Sequence, residues 1–201
     1  MLDILGHAAV AAGVDLARCP WMEAALQKFR TQQPSRSTER SSVFEFLDTV
    51  KDRSKPRLEH VQHWTGDRCT DWCSAFVNWC LRQAHYEGTD DALALTWRQW
   101  GQPVQAHWGC IAVVTSPIHH VGFYIIKRNN VYILGGNQKE KHHPGLYSVN
   151  IRGFKPHCRI EYRMPSTPVK AQVTPLTTYP PNIGGKAAWS GARPLTPGRP
   201  L

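Results

Sequence analysis

The stretch DWCSAFVNWC at residues 71–80 decides the fold of this chain. Its apolar residues recur at helical spacing, which predicts a buried helix over residues 72–85. Cys73 falls in the first turn of that helix, where unpaired backbone N–H groups lower the pKa of a thiol. Asp71 is the expected N-cap, and its carboxylate should point away from Cys73 because a negative charge opposes a thiolate. This position makes Cys73 a candidate nucleophile.

A histidine and an amide follow at spacings that suit a nucleophilic site. The stretch HHVGF begins with His119 and His120, which face opposite sides of a predicted strand, so the pattern alone does not choose between them. One hairpin later, the stretch GGNQ at residues 135–138 brings Asn137 within reach of an imidazole on that strand. A thiol, an imidazole that accepts its proton and an amide that orients the ring together indicate a cysteine hydrolase.

The order of the predicted elements indicates an α+β fold, with helices first and an antiparallel sheet afterwards. Two helical stretches, at residues 21–29 and 43–50, precede the cysteine. A further helix is expected over residues 90–100, with Thr89 as its cap and Gly101 as its stop. The strands are expected at residues 111–115, 120–127, 131–134, 146–151 and 158–163.

Three zones divide the chain. Residues 1–66 are polar and helix-leaning and are expected to form a helical N-terminal extension, whereas residues 67–165 are expected to form the hydrolase core. Residues 165–201 hold 8 of the 15 prolines and no acidic residue. A segment of this composition buries too little apolar surface to offset its ordering entropy, so residues 166–201 are expected to be a largely extended, proline-rich basic tail.

The net charge of +9 and the pI of about 9.5 favour anionic partners, such as nucleic acid, a membrane surface or an acidic cell-wall polymer. No nucleic-acid-binding motif supports the first of these, and no segment is long and apolar enough to insert into a membrane. Acidic residues interrupt the apolar stretch at residues 1–17 and no basic residues precede it, so a signal peptide is not expected. The protein is expected to be made in the cytoplasm and to reach an outside target by another route.

Six cysteines are spread through a chain of 201 residues, which is long enough to fold around a hydrophobic core without a disulfide framework. Cys69 lies four residues before Cys73, a spacing that allows a disulfide if the intervening turn bends, and such a bond would silence the nucleophile. A zinc site built from this pair and a histidine is the alternative, but one Cys-x3-Cys spacing without a second pair argues against it. No metal and no cofactor are expected.

These motifs together resemble the papain-like cysteine peptidases and amidases of bacterial cell walls, the NlpC and CHAP group. Within that group, the chain is similar to a small bacterial and phage family with a WCSAFVNW helix, a GTxxALAxxW helix, an HVGF strand and an LGGNQ strand end. The motifs stand here, in the same order, at residues 72–79, 88–97, 120–123 and 134–138. The final strand closes with YRMP at residues 162–165, and the resemblance covers roughly residues 67–165. One departure is the WGC at residues 108–110, where the family has a Pro-Gly-Asp turn.

The resemblance implies a papain-like core of the NlpC/CHAP type, in which N-terminal helices pack on an antiparallel β-sheet. By family position, Cys73 is the nucleophile, His120 is the base and Asn137 is the orienting residue. The departure at residues 108–110 affects the geometry of a turn and leaves this set intact. Substrate contacts are expected from Trp72, Trp108 and Gln138.

The resemblance further implies a peptidoglycan hydrolase that cleaves an amide bond in or next to the stem peptide. The favoured setting is an antibacterial toxin delivered by a contact-dependent, type VI-like secretion system, because the N-terminal region and the tail suggest carriage segments. Such a toxin implies a cognate immunity protein and a secretion carrier as partners, and action in the periplasm or cell wall of a target cell. The alternatives are a phage endolysin or tail-associated lysin and a non-catalytic wall-binding module.

Overall fold

The computed structural model describes residues 16–31, 43–50 and 72–166, which belong to a unit that spans residues 1–170. The roles expected of Cys69 and of the tail fall on residues outside the described ranges. No helix in this described part of the chain is long and apolar enough to cross a membrane.

The described chain has the α+β fold that the sequence predicts, with helices first and a sheet afterwards. Helix α1 spans Trp21–Thr31, a short helical segment covers residues 43–47, helix α2 spans Cys73–Gln83, and a 3-10 helix spans Ala94–Gln99. The strands of the described ranges are β1 (Gln102–Pro103), β2 (Ile111–Ser116), β3 (His120–Lys127), β4 (Val131–Lys139), β5 (Tyr147–Phe154) and β6 (Arg159–Met164). They form an antiparallel sheet in the order β1-β6-β2-β3-β4-β5.

The predicted helix over residues 90–100 is wrong in its first half. Asp90 has a φ of 54°, and the Asp91 carboxylate accepts the backbone N–H of Leu93 at 2.9 Å, so this stretch turns instead of coiling. Thr89 accepts the backbone N–H of Asp91 at 3.3 Å and therefore stabilises that turn. Gly101 has a φ of 59° and ends the 3-10 helix, as its place in the sequence predicts.

The ring of Phe46 joins the N-terminal segments to the rest of the core. Its centroid lies 5.5 Å from that of Trp72, 5.3 Å from that of Phe76 and 5.3 Å from that of Trp79. Phe76 in turn contacts Phe123 of β3, at 6.1 Å between centroids. The described residues of the N-terminal segments therefore pack into the same cluster as the sheet.

Helix α1 supports the turn at which the chain departs from the family pattern. Trp21 Nε1 donates to the carbonyl oxygen of Gly109 at 2.8 Å, and the Trp21 ring makes an edge contact with Tyr86 at 5.1 Å. Cys110 is fully buried, and burial raises the pKa of its thiol to about 11. This turn is therefore held by the indole of α1 and carries a neutral thiol.

Buried polar side chains tie α2 to the loop that follows it. Asn78 Nδ2 donates to the carbonyl oxygens of Ser74 at 3.1 Å and Asp91 at 3.2 Å, and Asn78 Oδ1 accepts the N–H of Asp90 at 3.0 Å. The Ser74 hydroxyl donates to Asp91 O at 2.5 Å and accepts Trp97 Nε1–H at 2.7 Å. Because buried polar groups need partners, these bonds explain why a serine and an asparagine stand in an otherwise apolar helix.

Substitution of Asn78 by alanine tests this anchor. Asn78→Ala should lower the free energy of unfolding by about 2–3 kcal/mol, because it removes the hydrogen bonds by which the buried Asn78 amide ties α2 to the loop. Gln83→Ala, at the exposed end of the same helix, is the matched control and should stay within about 0.5 kcal/mol of the parent. Urea unfolding measures both, and equal losses in the two variants would contradict the anchoring role.

Candidate functional site

A cavity of about 440 Å³ lies where the start of α2 meets the first residue of β3 and the far part of β4. It is lined by the three residues that the sequence nominates for catalysis, Cys73, His120 and Asn137. Its other lining residues are Ile118, His119, Gln138, Tyr147, Arg152 and Phe154. Within the described ranges, no cluster of three or more metal-ligating side chains occurs. The fold thus brings the nominated residues to one cavity, and their catalytic roles remain a prediction.

Cys73 is the first residue of α2 and is 3% exposed. The N-cap of this helix is Trp72, so the expectation that Asp71 caps it is wrong. No acidic side chain stands in the first turn. The backbone N–H groups at the helix start therefore favour negative charge at Cys73, with no carboxylate of that turn to oppose it.

Two adjacent glycines of β4 allow the two halves of the site to approach each other. A Cβ on Gly135 would lie 2.8 Å from His120 Nε2, whereas a Cβ on Gly136 would lie 2.4 Å from the Trp72 ring and 2.8 Å from Phe76 Cβ. Because successive residues of a strand face opposite sides, one glycine accommodates the imidazole and the other accommodates helix α2. This close packing accounts for the paired glycines of the GGNQ stretch.

His120 and Cys73 reach the cavity from different sides of the sheet. His120 stands opposite Val114 in register and stacks on Phe154, with ring centroids 5.5 Å apart, and both neighbours belong to the apolar cluster that excludes the helices. Val121, the next residue of β3, belongs to the cluster that contains α2. The cavity therefore opens at the end of the sheet, where the bulge in β4 interrupts the regular ladder.

The His120 ring is held in an apolar environment, whereas the neighbouring His119 is exposed. His120 is 6% exposed, and its Nε2 has no hydrogen-bond partner among the described residues. Burial lowers the pKa of His120 to about 4, with a smaller contribution from the positive charge of Arg152. The imidazole is therefore neutral at pH 7 and is able to accept a proton.

The bulge in β4 presents Asn137 and is fixed by the side chain of Gln138. Asn137 has a φ of 57°, in the left-handed region, at the interruption between Gly135 and Gln138. Gln138 Nε2 donates to the carbonyl oxygens of Ile133 at 3.3 Å, Gly135 at 3.0 Å and Asn150 at 2.5 Å. Gln138 was expected to contact substrate; it lines the cavity, but its amide nitrogen is engaged by the backbone.

The two tryptophans expected to contact substrate do not line the cavity. Trp72 is 0% exposed and lies between Phe46 and Gly136, and Trp108 is 7% exposed. Their role as substrate contacts stays a prediction. Trp72 instead packs the N-terminal end of α2 against β4 and so sets the position of Cys73.

The sequence prediction missed the residues that β5 contributes. Arg152 and Phe154 lie two residues apart and therefore face the same side of this strand. The guanidinium carbon of Arg152 lies 5.9 Å from the centroid of the Phe154 ring. The predicted strand ends at residue 151, whereas β5 continues to Phe154. The alternation of large side chains on either side of Gly153 is the signal that could have extended it.

The neutral state of His120 predicts how the stability of the protein depends on pH. Above about pH 6.5 the ring is neutral in the folded and the unfolded chain, so this residue adds no pH dependence there. As the pH falls from 6.5 towards 4, only the unfolded chain takes up the proton, and the free energy of unfolding should decrease, by about 3 kcal/mol over the full window. Chemical unfolding at a series of pH values measures this slope.

His120→Gln should remove that part of the pH dependence, whereas His119→Gln, at the exposed neighbouring position, should retain it. A slope between pH 6.5 and 4 that is identical in the parent and in His120→Gln would show that the imidazole is not held neutral by burial.

Comparisons of the chain with protein-family models, with curated proteins and with solved structures found no match. The chemistry that this site can perform is therefore inferred from its own residues and geometry.

Proposed function

We propose that this protein is a cysteine hydrolase of peptidoglycan that cleaves an amide bond in or next to the stem peptide. The observation that carries the proposal is the cavity that Cys73, at the start of a helix, shares with the buried His120 and with Asn137. A helix that carries the thiol at its first residue and packs on an antiparallel sheet also fits the papain-like, NlpC/CHAP-type core that the motifs resemble.

In the proposed reaction, Cys73 Sγ attacks the carbonyl carbon of the scissile amide while His120 accepts the thiol proton. The backbone N–H groups at the start of α2, including that of Cys73, stabilise the oxyanion of the tetrahedral intermediate. The imidazolium returns the proton to the leaving amine, the C–N bond breaks, and a thioester remains. Water, deprotonated by His120, then hydrolyses the thioester and restores the thiol. Asn137 orients the imidazole in this scheme.

The depressed pKa of His120 keeps the ring neutral before substrate binds, so it is free to accept a proton, and it also makes the ring a weaker base than an ordinary imidazole. A buried ring disfavours the imidazolium, so the charge pair of thiolate and imidazolium forms during the reaction rather than in the resting site. The acidic limb of the pH–rate profile of the free enzyme is then expected near pH 4, well below the ordinary range of histidine.

The choice of peptidoglycan as the substrate is supported by the motifs and by the charge. The net charge of +9 favours association with an anionic wall. A non-catalytic wall-binding module would have the same charge but has no need of a thiol and a neutral imidazole in one cavity. The setting of an injected toxin, with a carrier and an immunity protein, remains a proposal beside that of a phage lysin.

Removal of the thiol or of the base should abolish hydrolysis. Cys73→Ala and His120→Ala should each lower the rate by about 10³-fold or more, because the nucleophile and its base act as one unit. Asn137→Ala should lose only part of the activity, since an orienting group does not break the bond. His119→Ala is the matched control and should keep most activity. Mass spectrometry of products from purified sacculi measures each rate and identifies the bond.

Hydrolysis by a well-folded Cys73→Ala protein at the parent rate would contradict the cysteine mechanism. An inactive His119→Ala protein beside an active His120→Ala protein would show that the base has been assigned to the wrong histidine.

A further inference from the structure

Among the described residues, the cavity that holds Cys73 and His120 carries a positive charge that no carboxylate of those residues balances. Arg152 lines it, is exposed, and makes no ion pair with a carboxylate of the described residues. Among those residues, no aspartate or glutamate lines this cavity. The other side chains around it are a thiol, imidazoles, amides, one phenol and apolar groups. A ligand that carries a negative charge is therefore favoured over a neutral or cationic one.

The guanidinium of Arg152 is held in place without being neutralised. Its central carbon lies 5.9 Å from the centroid of the Phe154 ring, and the same ring stacks on His120 at 5.5 Å with an interplanar angle of 21°. The Phe154 ring therefore lies between the guanidinium of Arg152 and the imidazole of His120, the proposed base. A guanidinium that rests on an aromatic face keeps its N–H donors for a planar anion, and a carboxylate matches their geometry.

We propose that Arg152 is a specificity-determining residue that binds a carboxylate of the substrate close to the scissile amide. This inference rests on the proposed function, since it names which amides the site selects. Stem peptides offer such a group, because they carry free carboxylates beside their amide bonds. The competing role is structural: the arginine side chain covers Phe154 and recognises no anion.

The position of Arg152 also links substrate charge to the base. The positive charge of Arg152 opposes protonation of His120 and, after burial, contributes to the lowered pKa of the ring. A carboxylate bound to the guanidinium offsets that charge, so the imidazolium that forms during the reaction is then less disfavoured. An anionic substrate should therefore have a higher kcat as well as a lower KM.

The test uses two synthetic stem peptides that are identical except for one carboxylate, which is replaced by a carboxamide in the second. The parent protein should cleave the acid form with a kcat/KM about 10–100-fold above that of the amide form, as expected for a hydrogen bond between charged groups. Arg152→Gln should bring the ratio close to one, mainly by slowing cleavage of the acid, and Arg152→Lys should keep part of the preference. Arg159→Gln removes the same charge from an exposed position of β6 and should leave the ratio unchanged.

A second arm measures binding of both peptides to Cys73→Ala protein, with and without Arg152→Gln, so that the inference is tested apart from turnover. Absence of cleavage by the parent, with charge-dependent binding that Arg152→Gln removes, would refute the proposed function and support the anion site. Three results would each overturn the assignment of Arg152. In the first, the parent cleaves the two peptides with equal kcat/KM. In the second, Arg152→Gln keeps the preference for the acid form, and in the third, Arg152→Gln loses kcat/KM equally on both peptides. If the parent does not cleave the peptides and the binding does not depend on their charge, both the proposed function and the assignment of Arg152 are overturned.

Discussion

The close approach of helix α2 to strand β4 is the constraint on which the site depends. Gly136 leaves room for the Trp72 ring and for Phe76, and Gly135, on the opposite side of the strand, leaves room for the His120 ring. A side chain at either position would push the helix or the imidazole away from the cavity. Two glycines in succession therefore bring a thiol and an imidazole, which come from different faces of the sheet, to the same opening.

Local patterns in the sequence predicted the elements that carry their own signal. The helix of Cys73 and the strand of His120 were found from periodicity, and the structure places both as predicted. The N-cap was assigned to Asp71 and not to Trp72, because the usual preference for a polar cap does not anticipate a helix start fixed by packing. Local hydrogen bonds to Thr89 likewise replaced the predicted first turn of the next helix.

Long-range packing lay beyond the reach of those patterns. The polar, helix-leaning pattern of residues 1–66 does not reveal that Trp21 and Phe46 are buried in the common core. The packing of the Trp72 ring over Gly136 is likewise a contact between distant parts of the chain. Arg152 was not considered, since its place in the cavity follows from the register of β5 against β4, which single-strand patterns do not reveal.

The electrostatic character of the site follows from burial more than from paired charges. His120 lies between the backbone of Gly135 and the Phe154 ring, and this environment favours its neutral form. The backbone dipoles at the start of α2 supply positive potential to Cys73. Of the described residues that line the cavity, Arg152 is the charged one, so we expect it to distinguish substrates by their charge.

The central claim is that Cys73 and His120 act as one reactive unit, and the alkylation rate of Cys73 by iodoacetamide at pH 7 tests it most directly, without a substrate. The rate is followed by peptide-resolved mass spectrometry in the parent and in His120→Gln, with the partly exposed Cys158 as the internal reference. If His120 accepts the thiol proton while Sγ attacks the reagent, Cys73 should react about 100-fold more slowly in the variant while Cys158 is unaffected. Equal rates at Cys73 in two folded proteins would contradict this claim.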